Sequence, residues 1–133
     1  MVPFEPLRSF FIPGIPKSTQ TGSIVRIGKR AFPKRMHTEW SSYVKLVMYR
    51  NRPPEPLDGA LRVTLTFVMP RLASGKRALP TKRPDLDNLL KGFLDSGNGI
   101  LWMDDSQIVS LFIEKRYGDK PGVVVMVDVC EGE

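Results

Sequence analysis

Cysteine is nearly absent from this chain, with Cys130 the only one in 133 residues. No internal disulfide can form, which excludes the small secreted scaffolds that depend on such staples. Histidine is as scarce, and a lone His37 in a basic stretch reads as a surface residue or cap. No His/Cys cluster of the kind that holds zinc is therefore available. No apolar run approaches the ~18 residues of a membrane span. The start, Met1-Val-Pro-Phe-Glu-Pro, lacks the basic-then-apolar order of a signal peptide. Internal repeats are missing, which removes solenoid architectures. Gly-rich phosphate loops, a nucleophile elbow and a Cys–His pairing are missing too. The expectation is one cytoplasmic domain over residues 1–133, long enough to bury a core without staples and needing no membrane and no disulfide partner.

Charge is what the chain does have, and it is unevenly placed. The net charge is +6, from 20 Lys and Arg against 14 Asp and Glu. Residues 1–84 hold 16 basic and 4 acidic side chains, a net of +12, whereas residues 85–133 hold 4 and 10, a net of −6. Two basic stretches contain no acid, Lys17 to Arg35 and Arg71 to Arg83. Clustered Lys and Arg attract phosphates over several ångströms, so a polyanion is the partner they suggest. Acids beside such a surface would repel it unless something offsets them, and a divalent cation is the commonest such thing. The bland alternative is a solvated surface with chance asymmetry.

The pattern along the chain predicts an α+β fold, with a mixed or antiparallel sheet packed against two helices. Arg8 to Ile12 reads as a strand stopped by Pro13-Gly14, and Ser23 to Ile27 as a short one followed by the basic turn Gly28-Lys29-Arg30. Thr38 to Arg50 places Trp40, Tyr43, Val44, Val47 and Met48 at helical spacing, with Pro53-Pro54 beyond its end. Leu61 to Met69 alternates, with Leu61, Val63, Leu65 and Phe67 on one face. A second helix is expected over Asp87 to Leu94, ended by Gly97-Asn98-Gly99. Ile108 to Lys115 and Val123 to Val129 are expected to pair as a hairpin across Tyr117–Gly122. Cys130, at the end of an apolar strand, reads as a packing residue.

Two acidic elements carry the candidate chemistry. In Pro84-Asp-Leu-Asp-Asn-Leu-Leu-Lys91, Asp85 and Asp87 stand at a helix start, where carboxylates are favoured by the dipole. One of them could be an ordinary N-cap. That does not account for two acids with Lys91 four residues after the second. Asp87, Lys91 and Asp95 can share one helix face, which is equally well a solvated, salt-bridged face. In Trp102-Met-Asp-Asp-Ser-Gln-Ile108, the adjacent Asp104 and Asp105 repel unless exposed or bridged by a cation. Carboxylates and water are what Mg²⁺ prefers, and the EF-hand pattern is absent. Basic loops around an acidic cation site containing a Lys fit a metal-dependent nuclease. This chemistry does not choose a substrate.

At these residues the chain resembles the RusA family of Holliday junction resolvases. The likeness rests on Asp85-Leu-Asp87-Asn-Leu-x-Lys91, then Trp102-x-Asp104-Asp105-x-Gln107-Ile108. It extends to Ile12-Pro-Gly-x-Pro-Lys17 and to Glu114-Lys-Arg-Tyr-Gly118. The resemblance implies an α+β homodimer, bacterial or phage-encoded and nucleoid-associated, that nicks four-way (branched) DNA junctions symmetrically in recombination and repair. It implies Mg²⁺, with Mn²⁺ as a substitute. Asp85, Asp87 and Asp105 match the catalytic and metal-binding carboxylates, Lys91 the catalytic lysine, and Asp104 a supporting acid at the metal. Relatives often carry an Arg-rich run after the Pro-Lys segment, where Ser18-Thr19-Gln20-Thr21 stands here. The DNA-contacting residues are then Lys17, Arg26, Lys29, Arg30, Lys76, Arg77, Lys82 and Arg83. A C₂ pair also makes physical sense for cutting two strands at symmetric positions. The alternatives are a flap- or fork-selective nuclease using the same residues, and a non-catalytic DNA-binding module.

Overall fold

The computed structural model describes residues 7–18, 24–33, 38–71 and 78–130. Among the described residues, six strands and two helices make an α+β fold. In chain order they are β1 (Arg8–Pro13), β2 (Ile24–Ile27), β3 (Arg30–Pro33), α1 (Thr38–Arg50), β4 (Leu61–Pro70), α2 (Leu86–Leu90), β5 (Ile108–Gly118) and β6 (Gly122–Val129). A four-stranded mixed sheet has the order β1-β6-β4-β5, and β2 and β3 form a separate two-stranded hairpin. That hairpin turns at Gly28-Lys29, with Gly28 at φ 64°. Arg30, expected in the turn, is already the first residue of β3.

β4 organises the core. Leu61, Val63, Leu65 and Phe67 alternate along it as expected, and all four are fully buried. A fully buried Leu, Val or Phe side chain contributes ~1.5–3 kcal/mol relative to exposure. The same face of the sheet gathers Phe10 and Ile12 of β1 with Val123, Val125 and Val127 of β6. α1 adds Trp40, Val44, Val47 and Met48, the stripe its spacing predicts. Tyr43 belongs to the edge of that stripe and is more than a third exposed, its ring 6.0 Å from that of Trp40. The helix ends on side-chain caps. Asn51 Nδ2 donates to the Val47 carbonyl and Arg52 Nη1 to the Tyr49 carbonyl, each at 2.8 Å. These satisfy acceptors that the last turn leaves without intrahelical partners.

Two expectations are corrected here. The last two strands do not pair as a hairpin, because β4 lies between them, parallel to β5 and antiparallel to β6. Strands two places apart lie about 9.6 Å from each other, within the ~10 Å reach of the three linking residues. Burial decides between the arrangements: a central β4 can bury its apolar face completely, which an edge strand cannot. The second helix is also shorter than expected. It stops at Leu90, Lys91 turns extended at ψ 123°, and Gly92 at φ 75° sends the chain into a 3₁₀ turn over Asp95–Gly97.

Parallel pairing of β4 with β5 requires a long crossover to return the chain to the start of the sheet. That crossover carries α2, both acidic elements and Trp102. The topology thus gathers the candidate chemistry into a single connection.

Candidate active site

Asp85 occupies the N-cap position of α2 in extended backbone (φ −71°, ψ 154°), and its carbonyl accepts from the Leu89 N–H at 3.0 Å. Its side chain makes no capping hydrogen bond. The ordinary role for an acid at this position is therefore not what the carboxylate does. Asp87 stands exposed in the first turn, and the Lys91 N–H bonds back to the Asp87 carbonyl at 3.0 Å. Leu89, on the opposite side of this short helix, is fully buried and anchors it in the core.

The second acidic element is set by Trp102. Its indole is fully buried, and Nε1 donates to Asn98 Oδ1 at 2.9 Å. Gly97 lies against the same ring. Just beyond, Asp104 caps a 3₁₀ turn over Asp105–Gln107: its Oδ2 accepts from the Ser106 N–H at 3.1 Å. Gln107 closes the turn reciprocally, its Oε1 accepting from the Asp104 N–H at 2.9 Å. Gln107 Nε2 also donates to the carbonyls of Leu57 and Gly59, at 2.9 and 3.0 Å. Hydrogen bonds from the Ser106 hydroxyl and then its backbone N–H hold the Asp104 carboxyl below the usual carboxylate range. Asp104 thus holds the turn together through its carboxylate.

Asp105 is half-buried and is hydrogen-bonded by the side chain of Asp95. That bond, then desolvation and the charges of Asp105 and Asp104, raise the Asp95 carboxyl above its ordinary value. Asp95 is the acid that sequence reasoning left out of the site; the single helix face expected to carry Asp87, Lys91 and Asp95 does not form, because α2 stops at Leu90 and Gly92 turns the chain away. Gln107 and Lys115 were also missed as organising residues. Lys115 Nζ donates to the carbonyls of Lys82 and Pro84, both at 3.0 Å, directly before Asp85.

The structure therefore brings Asp95, from the turn before Trp102, against Asp104 and Asp105 of the turn after it, and places Asp85 with Asp87 at the start of α2. Among the described residues, no three His, Cys, Asp or Glu side chains converge into a metal-binding group. The donor chemistry nevertheless suits a hard divalent ion, being carboxylate throughout. Of the basic residues, Lys82 and Arg83 are exposed immediately before Asp85, across a cis Arg83–Pro84 peptide bond. Lys29 is exposed at the β2–β3 turn, and Arg26 and Arg30 lie on the two strands it joins. Lys17 lines an open cleft of about 450 Å³ with Gly14, Glu39, Trp40 and Tyr43. Lys76, Arg77 and His37 lie outside the described residues. Cys130 is a free thiol at the end of β6. No helix among the described residues is long and apolar enough to cross a membrane.

A curated relative, the uncharacterized protein YqaN of Bacillus subtilis (strain 168), is 33% identical over 100 residues, covering 66% of this chain and 70% of that protein. The family model described as endodeoxyribonuclease RusA matches residues 13–128, from the end of β1 almost to the end of β6, including the whole acidic crossover. With most of its length matched, the chain belongs to the RusA endodeoxyribonuclease family.

Proposed function

We propose that this endonuclease resolves four-way DNA junctions, as a homodimer, by metal-dependent symmetric nicking in recombination and repair. The observation that carries the reading is the Asp85 carboxylate, which sits at a helix start without capping it and is followed by the exposed Asp87. An acid spared from its usual structural work is available for a cation. Asp85, Asp87 and Asp105 would hold Mg²⁺, or Mn²⁺ in its place. Such an ion supplies a water activated near neutral pH and offsets charge on the phosphate.

The rest falls to the chain's own groups. Lys91, at the end of α2, places an ammonium on the segment that carries Asp87, where it can oppose negative charge developing on the phosphate or leaving oxygen. The exposed Lys82 and Arg83 grip the DNA backbone beside the scissile bond. Asp95, hydrogen-bonded to Asp105, limits the ways that carboxylate can turn. A two-fold pair of sites matches the two strands that must be cut at equivalent positions.

The test incubates the purified protein with a mobile four-way junction, a flap and a linear duplex, with Mg²⁺, Mn²⁺ or chelator, beside Asp87→Asn. Metal-dependent paired nicks in the junction are expected. The variant should lose cutting by about 100-fold or more, the scale associated with removing one group that stabilises transition-state charge. Its junction affinity should hold or rise, because a carboxylate that repels phosphate is gone. Preferential cutting of the flap would make this a flap nuclease. Tight binding with no nicks under either metal would leave a DNA-binding module.

A further inference from the structure

Lys115 interrupts an apolar row. On β5, Leu111, Ile113, Lys115 and Tyr117 share the face that β4 lines with Val63, Leu65, Phe67 and Met69. Lys115 lies in register with Phe67, which is fully buried. An apolar side chain would continue the pattern there. A charged group at a half-buried position is costly unless its hydrogen bonds are met. The Lys115 ammonium meets two of them on backbone carbonyls, those of Lys82 and Pro84, both at 3.0 Å.

We infer that Lys115 is a positioning residue for the acidic site, tethering the Lys82–Pro84 segment to the sheet so that Asp85 and Asp87 are presented in a fixed direction. The Pro84 carbonyl belongs to the same planar peptide unit as the Asp85 nitrogen, so holding that oxygen restricts the backbone leading into Asp85. Bonds from an ammonium to carbonyl oxygens are charge-assisted and stronger than neutral ones. The other end of the tether is firm, because β5 is hydrogen-bonded to β4 from Leu61/Ile108 to Pro70/Gly118. Asp85 contributes no capping bond of its own to hold the turn. With two of its three protons directed at main-chain oxygens, Lys115 acts through Asp85 and Asp87 and not on the phosphate.

The inference rests on reading Asp85 and Asp87 as site acids, and the experiment separates the two. Lys115→Met keeps the length and apolar stem but removes the donors; Lys115→Arg restores donors; Asp85→Asn reports on the acids themselves. Without metal or DNA, the amides of residues 85–91 should exchange at least ~10-fold faster in Lys115→Met than in wild type, with β4 and β6 unchanged, as expected for a local opening. Single-turnover cutting of a saturating junction should fall ~10–100-fold, the cost of a small misplacement of reacting groups. Junction affinity in Ca²⁺ should stay within about twofold, since a tether removed leaves phosphate contacts intact. Lys115→Arg should recover part of both losses. Unchanged exchange and cutting in Lys115→Met, with Asp85→Asn inactive, would overturn the tether alone. Affinity falling in step with rate would make Lys115 a DNA contact, and faster exchange across the whole sheet would make it a residue of general stability; either overturns the inference. Asp85→Asn cutting like wild type would overturn the site reading and the role of Lys115 with it.

Discussion

The side chain of Asp95 is hydrogen-bonded to that of Asp105, so two acids from opposite sides of the Trp102 turn meet carboxyl to carboxyl. Such a contact is comfortable only while a proton lies between the two groups. The hydrogen bond to Asp105, with desolvation and the neighbouring charges, raises the Asp95 carboxyl. A group raised in the folded state favours folding below its unfolded value and loses that contribution as pH climbs through the folded one. Relative to Asp95→Asn, the wild type should therefore lose thermal stability from the ordinary carboxylate range upward, and the variant should be equal or more stable at pH 7. Melting curves of both proteins between pH 3.5 and 7 check this. A wild type that gains on the variant as pH rises would mean that the Asp95 carboxylate is stabilised as an anion.

Gln107 joins the acidic turn to the chain ahead of β4 through its amide bonds to Leu57 and Gly59. Each such bond contributes about 1 kcal/mol net. Gln107→Ala should therefore cost ~1–2 kcal/mol in chemical denaturation. Cutting should fall further than stability explains, because Asp105 rides on the same turn. Full activity in a destabilised Gln107→Ala would show that the turn keeps its shape without the clamp.

The sequence spoke most clearly where neighbours in the chain decide the outcome. The alternation of β4, the Trp40–Met48 stripe of α1 and the stop after β1 are all local, and all stand in the structure. α2 misled because Leu89 and Phe93, both fully buried, keep helical spacing across Gly92, whose positive φ breaks the helix between them. The β5–β6 hairpin misled because adjacency in the chain competes with the burial of β4, and only the latter knows about the rest of the sheet. The role of Asp104 was within reach: Asp104-Asp-Ser-Gln107 has the spacing of a capping box. Lys115 and Asp95 had no such signal. The carbonyls that Lys115 holds lie in a loop more than 30 residues earlier, and the Asp95 contact exists only once Trp102 has folded the chain back.

Gly97 shows how tightly that fold-back is made. A Cβ added there would lie 2.7 Å from Trp102 Cζ2 and 2.9 Å from Cε2. The ring is fully buried and tied to Asn98, so it has little room to yield. Gly97→Ala should then cost ~1–3 kcal/mol, the usual range for overpacking a close-packed site. Gly99→Ala is the contrast, since its Cβ meets nothing within 4 Å and its penalty comes from φ 76° alone. Urea denaturation of the two variants, with near-ultraviolet circular dichroism of Trp102, distinguishes a displaced ring from a strained backbone. A Gly97→Ala protein as stable as wild type, with an unchanged aromatic spectrum, would show that the turn can open without cost.

Lys82 and Arg83 put two exposed cations next to Asp85, where DNA must pass if that acid is in the site. Each phosphate neutralised on duplex DNA contributes about −0.9 to the slope of log affinity against log salt. Junction binding by the wild type should therefore weaken steeply between 50 and 200 mM NaCl, roughly the range in which several contacts cost orders of magnitude. Replacing both residues by Ala should make the slope shallower by about 2, with the melting temperature nearly unchanged. The comparison with Lys29→Ala is informative, because Lys29 sits on the separate β2–β3 hairpin, far along the chain from the acids. Loss of slope from that variant and not from the Lys82/Arg83 pair would move the DNA path away from Asp85, and the acidic crossover could no longer be the place where the strand is cut.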